Sequence, residues 1–230
     1  MAEELKETGL DRLDGESSSV RLVRDDYGLA LVGDGMELRG DFSRMLPRLR
    51  QGRLQQELLV KAARIKGAEA PTAVDCTAGL GEDSLLLAAA GFVVTLFERD
   101  QTIAALLADA LERAAADPRL AEAVGRMTLV AGNSIAGLAV LSEPPDVVYL
   151  DPMFPARTKS AAVKKKFQLL HHLEQPCEEE EALVAAALAA QPRKVVIKRP
   201  AKGALLAGMK PSYSVAGKAV RYDVLVPPRP

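Results

Sequence analysis

The chain has little cysteine and little histidine to build with. Its two cysteines, Cys76 and Cys177, carry no framework spacing, which excludes a disulfide scaffold and suits a reducing compartment. Its two histidines are adjacent, His171-His172, and stand at no ligand spacing from Cys177 or the nearby acids. No metal site is expected from such a pattern. No apolar run reaches the roughly 18 residues of a membrane span, and Met1 to Glu7 is acidic and polar, unlike a secretion signal. Net charge is nearly missing too, at −1, so any attraction to nucleic acid has to come from a local patch. No internal repeat or low-complexity tract is present. A cytoplasmic protein of one ordinary domain, with room for a small appendage, is expected.

What is present is apolar residue in quantity, 48% of the chain, ample for a real core. Its spacing divides the sequence. Val20-Arg21-Leu22-Val23, Tyr27 to Val32 and Met36-Glu37-Leu38-Arg39 alternate in short pieces, separated by Asp25-Asp26 and Gly33-Asp34-Gly35. They predict a small antiparallel hairpin or meander within residues 1–46, too small to stand alone and packed on the rest of the chain. Residues 47–230 form the main domain. Pro47 to Lys66 reads as one helix with Leu54, Leu58, Leu59, Ala62 and Ile65 on its apolar face. Strands are then expected at Ala73–Asp75, Phe92–Phe97, Met127–Val130, Asp146–Leu150 and Lys194–Lys198. Helices are expected at Asp83–Ala90, Gln101–Ala116 and Glu178–Ala190, and Val220–Val226 supplies an antiparallel partner. Repeated units of this kind predict a Rossmann-like α/β fold, a mostly parallel sheet with helices on both faces.

Candidate chemistry gathers where these strands end. Between the first strand and its helix runs Asp75-Cys76-Thr77-Ala78-Gly79-Leu80-Gly81, whose glycines permit a tight turn and close approach to a ligand. The third glycine of a dinucleotide fingerprint is replaced by Ser84. Glu82-Asp83 put two carboxylates at the helix start, which opposes a pyrophosphate there. A cationic ligand without phosphate fits better, and S-adenosylmethionine qualifies through its sulfonium and α-amino groups. Glu98 follows roughly 20 residues after the loop, where an acid holds ribose hydroxyls, although a charge at the start of the Gln101 helix is as ordinary a reason for it. Asn133-Ser134 are common turn formers that also fall where an adenine edge would be read.

The run Val147-Val148-Tyr149-Leu150-Asp151-Pro152-Met153-Phe154-Pro155 reads as a buried strand delivering a carboxylate to the sheet's carboxyl edge. Pro152 has no N–H for the ladder and turns the chain out. The Asp151 carboxylate and the Pro152 carbonyl can accept the N–H groups of an exocyclic base amine, and Phe154 can stack on the base. Such a nitrogen is sluggish because its lone pair is delocalised into the ring. Positioning would therefore do most of the work, with Asp151 stabilising the positive charge that develops. Arg157, Lys159, Lys164, Lys165 and Lys166 come directly after, and Lys198 adds to them. A cluster beside the site suits RNA phosphates; a solubilising loop is the plainer alternative.

Four runs together resemble one family. Asp75 to Asp83, Val147 to Pro155, Lys159-Ser160-Ala161-Ala162-Val163-Lys164-Lys165 and Val196-Ile197-Lys198-Arg199-Pro200 are similar, in matching order, to the RsmJ family. These are bacterial small-subunit (16S) ribosomal RNA guanine-N2 methyltransferases. The resemblance implies a class I S-adenosylmethionine-dependent methyltransferase whose partner is 16S rRNA or the small ribosomal subunit. It carries cofactor contacts onto Glu82, Asp83, Glu98, Arg99, Asn133, Ser134 and Asp151, beside Asp75, Gly79 and Gly81 of the loop. Glu82 stands where the family has arginine. Met153 takes the second proline position of the Asp/Asn-Pro-Pro-aromatic loop found in related amine methyltransferases. The expected reaction is methyl transfer to guanine N2, with Asp151, Pro152 and Phe154 as catalytic residues. Methylation of adenine N6 by the same loop is one alternative. A non-catalytic RNA-binding assembly module with this fold is another.

Overall fold

The computed structural model describes residues 20–33, 35–152 and 179–228. Three short strands come first, β1 (Arg21–Asp25), β2 (Gly28–Gly33) and β3 (Met36–Leu38), paired antiparallel in that order. Leu31 and Leu38 turn inward, and the apolar side chain they meet is Leu106 of a helix in the main sheet's layer. The small sheet thus shares its core with the larger domain, as an isolated meander could not stand in water.

The helix expected over Pro47 to Lys66 is broken. A 3₁₀ turn at Phe42–Met45 leads into α1 (Leu46–Leu49), a second 3₁₀ turn covers Leu54–Gln56, and α2 spans Leu58–Ala63. Arg50 and Glu57 are extended at the breaks, with ψ of 139° and 130°, and Gly52 lies between them at φ +87°. Arg48 closes the detour by donating to both Glu57 oxygens at 2.9 and 2.7 Å. The apolar positions still reach one core: Leu54, Leu59 and Ala62 are all buried.

The central sheet follows from the expected alternation. Its parallel strands are β4 (Thr72–Asp75), β5 (Val93–Glu98), β6 (Met127–Ala131), β7 (Val147–Leu150) and β8 (Lys194–Pro200). Two further strands, β9 (Tyr213–Ala216) and β10 (Val220–Leu225), add antiparallel at one edge, giving the order β6-β5-β4-β7-β8-β10-β9. The helices between them are α3 (Glu82–Ala89), α4 (Gln101–Ala115), α5 (Ala121–Val124), α6 (Ser134–Ala139) and α7 (Glu180–Ala189). Alternate residues of β7 serve two cores. Val147 and Tyr149 pack with α2, α3 and α4 on one face, while Val148 and Leu150 pack with α6 and α7 on the other. The strand is accordingly apolar throughout and at most 1% exposed, as a strand covered on both faces must be.

From β4 the chain moves outward to β5 and β6, then returns to lay β7 on β4's other side. Strand order reverses between β4 and β7. The crevice beyond their carboxyl ends is where sheets of this design bind ligands.

Candidate active site

Asp75 closes β4, and its carboxylate organises the loop behind it. Its Oδ1 accepts the Thr77 N–H at 3.0 Å and its Oδ2 accepts the Ser84 hydroxyl at 2.5 Å. The side chain is 1% exposed. Burial pushes its pKa up to about 7, against the pull of the Ser84 and Thr77 hydrogen bonds. The two glycines expected in the turn do different things. Gly81 caps α3 with φ +75°, and a Cβ there would lie 2.7 Å from Leu107 Cδ1 and 3.1 Å from Phe42 Cζ. Gly79, at φ +53°, would place a Cβ in open space. One glycine is required by packing, and the other leaves its loop face clear.

Glu98 ends β5 and ties the same loop from the other side. Its Oε2 accepts the Gly79 N–H and its Oε1 the Asp100 N–H, both at 2.9 Å. Burial raises its pKa despite these bonds. Arg99 beside it is exposed, and Asp100 caps α4 by accepting from the N–H groups of Thr102 and Ile103. Asn133 is likewise a cap, its Oδ1 taking the Ile135 N–H at 2.8 Å to start α6. Ser134 is buried next to Cys76, whose thiol burial pushes upward. The side-chain oxygen of Asn133 is therefore engaged by the helix start, on a residue that is itself exposed.

Asp151 emerges from β7, and its N–H donates to Thr77 Oγ1 at 2.7 Å. This bond joins the loop after β4 to the loop after β7. The Asp151 carboxylate is about one-third exposed, with Oδ2 2.8 Å from Lys198 Nζ. Pro152 behind it is buried. Lys198, grouped by sequence with the RNA-facing cations, reaches inward instead. Its Nζ also lies 2.7 Å from Asp83 Oδ2, the oxygen that accepts the Tyr149 hydroxyl at 2.6 Å. Burial opposes the Lys198 charge, but the Asp83 and Asp151 carboxylates together drive its pKa above the usual value. Burial raises the Asp151 pKa, Lys198 opposes that rise, and Asp83 adds to it. Glu82 is half-buried at the start of α3. Met153, Phe154, Arg157, Lys159, Lys164, Lys165, Lys166, His171, His172 and Cys177 lie outside the described residues.

The structure thus brings Asp75, Gly79, Gly81, Asp83, Glu98 and Asp151 to one rim, and adds residues the sequence did not single out. Thr77 stood in the loop run with no role of its own. Tyr149 was hidden in an apolar strand, yet it is the one residue of Val147–Leu150 with a polar tip. Carboxylates dominate the crevice, which suits cationic groups and disfavours phosphate. The clear face of Gly79 and the acid at the end of β5 complete a set that fits S-adenosylmethionine. Among the described residues, no group of three or more His, Cys, Asp or Glu is placed to hold a metal ion.

The chain is similar to known proteins in sequence and in fold. A family model described as "Putative SAM-dependent methyltransferase" matches residues 7–227. The ribosomal RNA small subunit methyltransferase J of Thioalkalivibrio sulfidiphilus is 46% identical over 224 residues, covering 93% of this chain and 88% of its own. The protein of the same name from Neisseria meningitidis is 40% identical over 215 residues, with 92% and 85% covered. The crystal structure of a SAM-dependent methyltransferase from Neisseria gonorrhoeae matches with a TM-score of 0.75 at 32% identity, over 94% of this chain and 86% of that one. The sheet with its flanking helices is the Rossmann-like class I methyltransferase fold.

Proposed function

Because the chain belongs to the ribosomal RNA small subunit methyltransferase J family, we propose that it transfers the methyl group of S-adenosylmethionine to the N2 amine of a guanine in 16S rRNA. The cofactor supplies a methyl group activated on sulfonium sulfur. This chain's own residues hold and aim the two reactants. The observation that carries the reading is the 2.7 Å bond from the Asp151 N–H to Thr77 Oγ1, which fixes the amine-binding carboxylate against the glycine loop.

In this reading Asp83 and Asp151 present negative charge to the cofactor's cationic groups. Glu98 keeps outward lone pairs for ribose hydroxyls after serving Gly79 and Asp100, since each carboxylate oxygen can accept more than one bond. Gly81, Glu82, Arg99, Asn133, Ser134 and Asp75 complete the cofactor's surroundings. The second oxygen of Asp151 and the Pro152 carbonyl accept the N–H groups of the guanine amine and turn its lone pair toward the methyl group. Phe154 stacks on a base drawn out of its helix. Arg157, Lys159, Lys164, Lys165 and Lys166 meet RNA phosphates. A ribosomal substrate places this work in the cytoplasm. We take residues 1–46 as an appendage to a catalytic domain of residues 47–230, its described part carrying β1, β2 and β3.

The test uses methyl-labelled S-adenosylmethionine with 16S rRNA, both naked and in small subunits, followed by digestion to nucleosides. Label in N2-methylguanosine is the expected result. Label in N6-methyladenosine would replace guanine with adenine as the target. RNA retention without any transfer would leave a binding module instead of an enzyme.

A further inference from the structure

Lys198 lies on β8 at the level of the site. Its register fixes the placement: Leu150 pairs with Ile197, so Asp151, the first residue past the end of β7, comes out beside Lys198, which is still within β8. On its other side Lys198 is paired with Tyr222 of β10. The ammonium is held by two carboxylates from different elements, Asp151 after β7 at 2.8 Å and Asp83 of α3 at 2.7 Å. Tyr149 steadies Asp83 from β7 through its hydroxyl at 2.6 Å. Among the described residues, Asp151 Oδ1 accepts no hydrogen bond, whereas Oδ2 is taken by Lys198. A loose surface lysine has neither this partner count nor this enclosure, its side chain being 26% exposed.

We propose that Lys198 is a positioning residue for methyl transfer, clamping one Asp151 oxygen so that the other is presented to the substrate amine. The inference rests on the reading of Asp151 as the amine acceptor. Its second consequence is electrostatic. Asp83 faces Asp151 with like charge, joined by Asp75 where that group is ionised, and burial also disfavours the ionised form of Asp151, while Lys198 and Arg199 of β8 oppose both. Tyr149 and Tyr222, both raised above the usual tyrosine pKa chiefly by burial, stay neutral, and Arg48 adds a more distant positive charge. Of these cations Lys198 touches Asp151 directly, at 2.8 Å. Without it the carboxyl would hold its proton to higher pH, and a protonated Asp151 cannot serve the amine in the same way.

The experiment is the pH profile of kcat for full-length wild type, Lys198→Met and Lys198→Arg, from pH 6 upward, with 16S rRNA substrate. In Lys198→Met the acidic limb should move up by about 1–3 pH units, the usual effect of losing an opposite charge at contact. Lys198→Arg should restore most of the wild-type position. Should Lys198→Met fold poorly, Lys198→Gln keeps length and polarity while removing the charge, and the same shift is expected. An unmoved limb, with a raised KM for RNA and a flatter salt dependence, would make Lys198 a phosphate contact and overturn the proposal. Asp151→Ala separates the two ideas. If that variant is inactive while the limb stays put in Lys198→Met, only the role of Lys198 fails; if it turns over normally, the reading of Asp151 fails first.

Discussion

Replacing Gly79 and Gly81 with alanine, one at a time, should separate the loop's fold from its function. Both have positive φ, +53° and +75°, so either alanine carries about 1–2 kcal/mol of backbone strain. At Gly81 the new methyl also collides, 2.7 Å from Leu107 Cδ1 and 3.1 Å from Phe42 Cζ. Both neighbours are buried, and overpacking of this kind adds about 1–3 kcal/mol. The totals are about 1–2 kcal/mol for Gly79→Ala and about 2–5 kcal/mol for Gly81→Ala. In a chain of this size 1 kcal/mol moves the melting temperature by roughly 2–4 °C, so drops of about 2–8 °C and 4–20 °C are expected.

Cofactor affinity should follow a different order from stability. The Gly79 methyl meets no heavy atom within 4 Å and enters the space where S-adenosylmethionine is proposed to lie. Gly79→Ala should weaken cofactor binding roughly tenfold or more, about 1.4 kcal/mol, while remaining the more stable variant. Scanning calorimetry and titration calorimetry on the same preparations give both numbers. Wild-type affinity in Gly79→Ala would place the cofactor elsewhere. Equal melting temperatures for the two variants would deny the packing assigned to Gly81.

Other outcomes follow from the buried acids. Asp75 has a folded pKa of about 7 against 3.8, so between those values the unfolded chain is ionised while the folded one keeps its proton. Stability should fall as pH rises through that window and level off above it. Asp75→Asn can still accept from Thr77 and donate to Ser84, and it should remove that slope in urea unfolding at pH 5 and pH 8; a slope equal to wild type would refute it. Asp109 is buried in α4, where it accepts from Arg24 at 2.7 Å and Arg113 at 2.8 Å beneath the small sheet. Arg24 is mostly exposed, so its share is small, and Asp109→Ala should cost about 1–3 kcal/mol. Faster amide exchange in β2 would register it, and unchanged protection there would contradict it. Asp151→Ala should lower turnover by roughly 10²–10³-fold with an unchanged circular dichroism spectrum; near-normal turnover would remove Asp151 from the chemistry.

The parallel strands were legible because strands covered on both faces read as continuous apolar runs between loop residues, and β6, though partly exposed at the sheet edge, is apolar at Met127, Leu129 and Val130. β4, β5, β6, β7 and β8 all fall within a few residues of their expected positions. The break in the Pro47 to Lys66 segment was not legible, since Leu54, Leu59 and Ala62 reach the same core whether the helix is whole or split. Apolar spacing records which side faces inward, not whether the backbone detours between contacts. β9 escaped notice because four residues, largely exposed at the sheet edge, are too short a run for the apolar positions of Tyr213 and Val215 to stand out. α6 has six residues and depends on the Asn133 cap, which looked like a turn. In the site, strand ends were readable one by one, but their partners were not. Lys198 meets Asp83 across 115 positions and Asp151 across 47. Only the sheet register brings those three together, and no local pattern records it.

The hydroxyl of Thr77 has a consequence for how two different molecules occupy this crevice. It belongs to the turn proposed to meet one of them and grips the main chain proposed to meet the other, so in that reading ordering either side orders its neighbour. Linkage makes such an effect mutual: whatever factor the donor adds to the affinity for nucleic acid, the nucleic acid must return to the donor. Thr77→Val, which keeps the shape and deletes the grip, should leave each molecule binding as though the other were absent.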